Sequence, residues 1–423
     1  MGREEVAKGA FRSFERFGRW RRTVGTIARL VTRWRLRTTT PMRRLFSMVL
    51  VLLAACDDGG STEPPLDAGP PFDGGAMFDA GAGAGGNVAA LVLSDGESEW
   101  RLDGTAVSAP SSLASVPGHN AFWFAWSIFN PGTELFGGGA VRDATLESTD
   151  DCGVPCEEII PGCPGRDCIP PLDSPDMVTG TPDYLADTDM VLGVVTSEGP
   201  RAYPHNILWW HEVINEEVGD EAFTVTFCPL TGSGLRYDRR GFVEGETVRL
   251  GVSGLLYNSN LILWDRETET LWSQMGLDGI QGANLGEASP VEPIFEMTWA
   301  AWQALHPDTL VVSESTGHSR DYRRYPYTRG GDYRTNDADT FRQTNPLPDA
   351  QFANKDMVFG ITRGTERRAY VWELLRAEAG GPRGVINDRI GDTPIAVVFD
   401  LDASYVHAFE RGEAELSLVP AAE

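Results

Sequence analysis

Lysine is almost missing from this chain of 423 residues: only Lys8 and Lys355 occur, so nearly every one of its 36 basic side chains is Arg. Positive charge of any kind is scarce beyond residue 55. Of the 36 basic and 61 acidic residues, 13 and three lie in 1–55, leaving 23 basic against 58 acidic over 56–423. A surface this acidic repels nucleic acid and an anionic membrane face. Long apolar runs are also absent. The stretch 45–54 has half the roughly 20 residues that a membrane-spanning helix needs. No HExxH, GxSxG or P-loop signature occurs, so no reaction is named by a motif. Cysteine is limited to six residues. What is present is core material: 41% hydrophobic residues, with 19 Phe and 12 Trp, ample for a large buried interior.

The short apolar stretch has a meaning of its own. Arg43 and Arg44 precede it and Leu53-Ala54-Ala55-Cys56 closes it, the pattern of a bacterial lipoprotein signal peptide over 42–55, with Cys56 as the lipidated new N-terminus. Residues 1–41 are then a basic extension, or lie upstream of the true start. Residues 56–90 are rich in Gly, Pro, Asp and Ala and bury too little apolar surface to fold, which suits a tether. The expected location is extracytoplasmic, with the membrane as partner through the lipid on Cys56.

An oxidising compartment explains the next feature. Cys152, Cys156, Cys163 and Cys168 crowd a Gly/Pro-rich loop, where two disulfides of unknown pairing are expected and a structural zinc is the alternative. Cys228 is left without a partner. The apolar run 222–227 reads as a strand that delivers it, and Pro229 ends the pairing directly after it, which puts the thiol at a strand end where side chains reach a cleft. CPLTG offers no second Cys, so a CxxC redox pair is excluded. A thiol acts as nucleophile or soft-metal ligand once deprotonated, and His211 is the nearest base, with Glu212 beside it as a weaker partner. Cys228 and His211 also form a candidate metal pair for copper or zinc, with Met275 as a possible third ligand. Tyr257, Asn258, Ser259, Trp272 and Gln274 form a polar and aromatic set suited to lining a ligand pocket. The competing reading is a binding or scaffold lipoprotein in which Cys228 is a buried small hydrophobe.

Three segments recur in the same order. Trp123-Phe-Ala-Trp126 through Pro131-Gly-Thr133 matches Trp299-Ala-Ala-Trp302 through Pro307-Asp-Thr309. Asp189-Met190-Val191 through Arg201-Ala202-Tyr203 matches Asp356-Met357-Val358 through Arg368-Ala369-Tyr370, and Val213-Ile214-Asn215 matches Val385-Ile386-Asn387. This predicts a tandem duplication. The first copy begins at residue 95 and its domain runs to 295; the second, 296–423, lacks the Cys/His set. Each WxAW segment reads as a short helix stopped by Pro and followed by a strand, and 190–196, 223–227, 248–252 and 261–264 read as strands. The expected fold is α+β, β-rich, built from two related halves.

The segments AYPHNIL, WHEVIN, TFCPLTG, YDRR, GVSGLLYNS, DRETETLWSQ and HPDTLVVS, in this order, resemble the bacterial and archaeal family named domain of unknown function 3179. The likeness is strong from about residue 167 to 327 and weaker to the C-terminus. It implies a secreted or lipid-anchored protein and brings no activity. Members of that family often read CPLC where this chain has Cys228-Pro-Leu-Thr231, a departure that argues against a paired-thiol mechanism.

Overall fold

The computed structural model describes residues 88–142, 151–328, 331–345 and 351–422. The signal peptide, Cys56 and most of the tether lie outside these residues. Folded structure begins at Val88–Ala90, a 3₁₀ turn whose Val88 is fully buried, so ordered chain starts inside the segment read as tether and before residue 95. Among the described residues no helix is long and apolar enough to cross a membrane.

The chain is β-rich: its described strands form six sheets, joined by four short α-helices. The helices are α1 (Trp123–Phe129), α2 (His205–His211), α3 (Trp299–Leu305) and α4 (Trp372–Ala379). Helices α1 and α3 are the two WxAW segments. Each ends two residues before a proline, which can neither donate the next hydrogen bond nor admit helical backbone at the residue before it, Asn130 or His306. Thr298 caps α3 by accepting from the Ala301 amide.

Two sheets share one pairing pattern. In the first, Gly118–Phe122 runs antiparallel to Met357–Arg363, which forms a hairpin with Glu366–Val371, and Glu134–Leu135 lies parallel to the latter. In the second, Phe295–Thr298 runs antiparallel to Met190–Thr196, which forms a hairpin with Gly199–Pro204, and Leu310–Val312 lies parallel to that. The strands around α1 therefore pair with the C-terminal hairpin, and those around α3 with the central one. Each hairpin leads through a helix into three consecutive antiparallel strands of a further sheet: Val213–Val218, Glu221–Cys228 and Ser233–Asp238 after α2, in a sheet of five, and Arg383–Ile390, Thr393–Asp400 and Tyr405–Glu410 after α4, in a sheet of four. A separate meander carries Leu250–Tyr257, Asn260–Asp265, Leu271–Ser273 and Asp278–Gln281. Strand Leu91–Ser94 pairs with Ser417–Pro420 and ties the two ends of the folded region together.

A packing rule is common to both shared sheets. Gly193 lies under the Trp302 ring and Gly360 under the Trp126 ring, so a methyl group at either glycine would overlap the indole. Both tryptophans are fully buried, and neither helix can dock on its hairpin unless the strand is bare at that point. Gly193→Ala and Gly360→Ala are each expected to destabilise the fold by about 1–3 kcal/mol through overpacking. The loss should appear as a lower denaturant midpoint at unchanged slope. The exposed Val195→Ala serves as the neutral comparison.

Candidate functional site

Helix α2 stops at His211, and Glu212 takes a left-handed conformation with φ 57° and ψ −28°. That reversal turns two adjacent side chains to different sides. His211 is fully buried, with Nδ1 2.7 Å from the Pro170 carbonyl and Nε2 2.8 Å from the Tyr322 hydroxyl. A carbonyl only accepts, so Nδ1 carries the proton and Nε2 accepts from Tyr322. Tyr322 in turn lies 2.5 Å from the Thr316 hydroxyl, which donates to it. Burial holds the imidazole neutral, with its pKa down at about 4. Both ring nitrogens are thus engaged with Pro170 and Tyr322, and neither bonds to Cys228.

Cys228 is the last residue of its strand, opposite Ser233, as its sequence setting indicated. It does not open into a cleft: it is 1% exposed, and its thiol donates weakly to the Ser259 carbonyl at 3.6 Å. The carboxyl group acting on it is Glu212, which with burial pushes the thiol up to about 11. Glu212 is itself buried, which raises its pKa to about 8 against the opposing effect of the Tyr327 hydroxyl 3.5 Å away. Tyr325, Tyr327, Tyr333 and Lys355 are the other ionisable groups within electrostatic reach of the thiol.

Lys355 was not singled out by the sequence, although its isolation in a nearly lysine-free chain was a usable signal. It is 8% exposed, and its Nζ lies 3.4 Å from the Tyr333 ring centroid, 4.6 Å from Phe122 and 4.9 Å from Phe124. Burial lowers its pKa to about 7, against the pull of Asp339, Asp337 and Cys228. Two of the caging rings are tied to the turn after Cys228: the Phe122 amide donates to Thr231 O at 2.8 Å, and the Tyr333 hydroxyl to Leu230 O at 2.9 Å.

A second buried group lies behind this turn. His205 packs its ring 4.0 Å from that of Phe227 and places Nε2 3.4 Å from a Glu296 oxygen. Asn120 donates to the other Glu296 oxygen at 3.1 Å. Burial lowers the His205 pKa to about 3 and raises that of Glu296 to about 7, so the contact is not a charged pair at neutral pH.

The residues expected to line a ligand pocket bond to the protein instead. Asn258 Oδ1 accepts from the amides of Thr344 and Asn345 at 3.1 and 2.9 Å. Ser259 donates to the Thr340 carbonyl at 3.2 Å, and Tyr257 packs edge-on to Phe129. Trp272 donates to Asp265 at 2.9 Å. Gln274 joins Thr226, Ser233 and Asn260 in a buried network, with its amide donating to Thr226 at 2.9 Å and its oxygen accepting from Asn260 at 2.7 Å. These five side chains hold a turn and a core.

The crowded cysteines pair as Cys152–Cys156 and Cys163–Cys168, two local disulfides rather than a zinc cluster. Such bonds accord with an oxidising, extracytoplasmic setting. Among the described residues no group of three or more His, Cys, Asp or Glu is arranged to hold a metal. Met275 is buried, its amide bonded to Asn260 at 3.2 Å.

A family model described as a protein of unknown function, DUF3179, matches residues 166–419. No curated protein and no solved structure matches the chain.

The raised pKa of Glu212 has a stability consequence. The folded chain keeps a proton on Glu212 up to about pH 8, whereas the unfolded chain releases it near the ordinary value of 4.5. Stability from this group is therefore full below about pH 4.5 and declines as pH rises towards 8. Glu212→Gln should remove one proton's worth of that slope, read from melting temperature against pH. An unchanged slope would mean that Glu212 is ionised in the native state.

Proposed function

The chain belongs to the DUF3179 family, and from that premise we propose that it is an extracytoplasmic lipoprotein with a thiol-dependent enzymatic site, in which Cys228 is the nucleophile and Glu212 its base. The observation that carries this reading is the bond from the Phe227 amide to the Glu212 carbonyl at 2.9 Å, which sets a buried carboxyl of proton affinity about 8 within electrostatic reach of the Cys228 thiol. A carboxyl of that affinity is ionised in a minority of molecules at neutral pH and in most above about pH 8, and the ionised form can take the thiol's proton and return it. Such a base answers the problem posed by a thiol at about 11, which holds almost no thiolate of its own. His211 then acts at a distance: as a neutral acceptor it anchors Tyr322 and the irregular segment that follows, which brings Tyr325, Tyr327 and Tyr333 over the thiol.

A soft-metal centre with copper or zinc has less support, because His211 is engaged elsewhere and no third ligand joins Cys228 among the described residues. The scaffold reading is favoured by one observation, the near-complete burial of Cys228. Substrate entry on the enzymatic reading requires the segment carrying Tyr325 and Tyr333 to move aside.

We also infer a tandem duplication. Its support is the shared pairing of the two hairpin sheets and the matching Gly193–Trp302 and Gly360–Trp126 contacts. On this account the helix-bearing segments are exchanged between the copies.

Two measurements test the proposal. The full chain exposed to 4-nitrophenyl acetate should release a burst of one nitrophenolate per molecule and carry an acetyl adduct on Cys228. Cys228→Ser should abolish both, and Glu212→Gln should slow the burst by about 10²–10⁴-fold. A folded wild-type chain that gives no adduct supports the scaffold instead. For the anchor, Cys56→Ser should release the protein from the membrane fraction and block incorporation of a labelled fatty acid. Retention of both in the variant refutes lipidation at Cys56.

A further inference from the structure

We infer that Lys355 completes the Cys228 site as the cation that receives negative charge on an acyl oxygen, and that the substrates are neutral carboxylic amides with an apolar acyl group. This rests on the reading of Cys228 as nucleophile. The argument begins with cost. A lysine ammonium is strongly hydrated, and its removal from water is unfavourable unless acceptors replace that water. Lys355 is 8% exposed and its Nζ has no hydrogen-bond partner, so three donors are unused. Cation–π contact with Tyr333, Phe122 and Phe124 recovers part of the loss but satisfies no N–H. The fold gains no ion pair from this side chain. Only its backbone amide is bonded, to Asp337 at 3.0 Å.

Position supplies the second step. Two of the residues that hold the ammonium are bonded to the turn within three residues of the thiol, Tyr333 through its hydroxyl to Leu230 O and Phe122 through its backbone amide to Thr231 O. The amine and thiol interact electrostatically. The nucleophile therefore has a carboxyl base and a cation with free donors within electrostatic reach. The Tyr325 hydroxyl, buried and without a hydrogen-bond partner among the described residues, is within the same reach. The rings about the ammonium, Tyr333, Phe122 and Phe124, suit an apolar acyl group. The strongly acidic chain disfavours anionic ones.

The chemistry balances without a redox partner. The Cys228 thiol gives its proton to Glu212 as sulfur bonds to the carbonyl carbon, and the C=O electron pair moves to oxygen beside the Lys355 ammonium. As the C–O double bond re-forms, the C–N bond breaks and the amine leaves with the proton from Glu212. Water, deprotonated by Glu212, then attacks the thioester, releasing carboxylic acid and restoring the thiol. Preorganised charge at the developing oxyanion is the largest single contribution such a site can make.

The test exploits a difference between acylation and alkylation. Both need the thiolate, but only acylation places negative charge on an acyl oxygen. Lys355→Met fits the aromatic cage without a charge, and folding is checked by its melting transition. In the full chain, Lys355→Met should slow acetylation of Cys228 by 4-nitrophenyl acetate about 100-fold or more relative to its effect on alkylation by iodoacetamide. Lys355→Arg, which keeps the charge, should recover part of the acylation rate. Equal losses in the two reactions would overturn the role of Lys355 and leave the nucleophile intact. Absence of any acetyl adduct in the wild-type chain would instead defeat the underlying reading of Cys228.

Discussion

The left-handed turn at Glu212 is the constraint on which the candidate site depends. A non-glycine residue at φ 57° adopts a sparsely populated conformation that the surrounding structure must enforce. Here it ends α2 and starts the strand Val213–Val218 within one residue. Without it the helix would continue, and His211 and Glu212 would project about 100° apart on one surface. With it, His211 turns to Pro170 and Tyr322 while Glu212 turns to Cys228 and Tyr327. The Glu212 carbonyl, accepting from the Phe227 amide at 2.9 Å, fixes this turn to the strand end that carries the thiol. Backbone geometry therefore selects which neighbour becomes the partner of Cys228.

Much of the scaffold was legible because its signals are local. Tryptophans at fixed spacing before a proline gave α1 and α3, and β-branched runs bounded by Gly and Pro gave the hairpin strands. Cys228 at a strand end was legible for the same reason. The partner of the thiol was not. A helix that ends in the left-handed region usually signals itself by Gly or Asn, and here the position is Glu212. Sequence favoured His211 and made Glu212 the weaker partner, because adjacency does not show which way the backbone turns between them. Lys355 was hidden differently, since it reaches Cys228 only through pairing of Gly118–Phe122 with Met357–Arg363, far apart in the chain. The role of the set from Tyr257 to Gln274 was not legible, because buried polar residues that complete a turn and residues that line a pocket have the same composition.

The two sets of three consecutive antiparallel strands that follow α2 and α4 show what is particular about the first. Continued by register, the positions of His211 and Cys228 correspond to Arg383 and Asp400, which form an ion pair at 2.8 Å across the strand ends. Asp400 is fully buried there, and its charge is answered by Arg383 and by the Asp402 and Ala403 amides. At this point of the fold a buried polar group thus has a self-sufficient structural solution. The first sheet lacks it. Cys228 has one weak bond to a carbonyl, and the cation within its electrostatic reach, Lys355, comes from a different part of the chain with its donors unused among the described residues. A core that needed only packing would be served by an apolar pair, and one that needed polar closure by an Arg–Asp pair. A thiol with a carboxyl of raised proton affinity and an amine of unused donors within electrostatic reach answers neither need. Their common property is that each can exchange a proton or accept a bond, and reactivity is the account that uses all three.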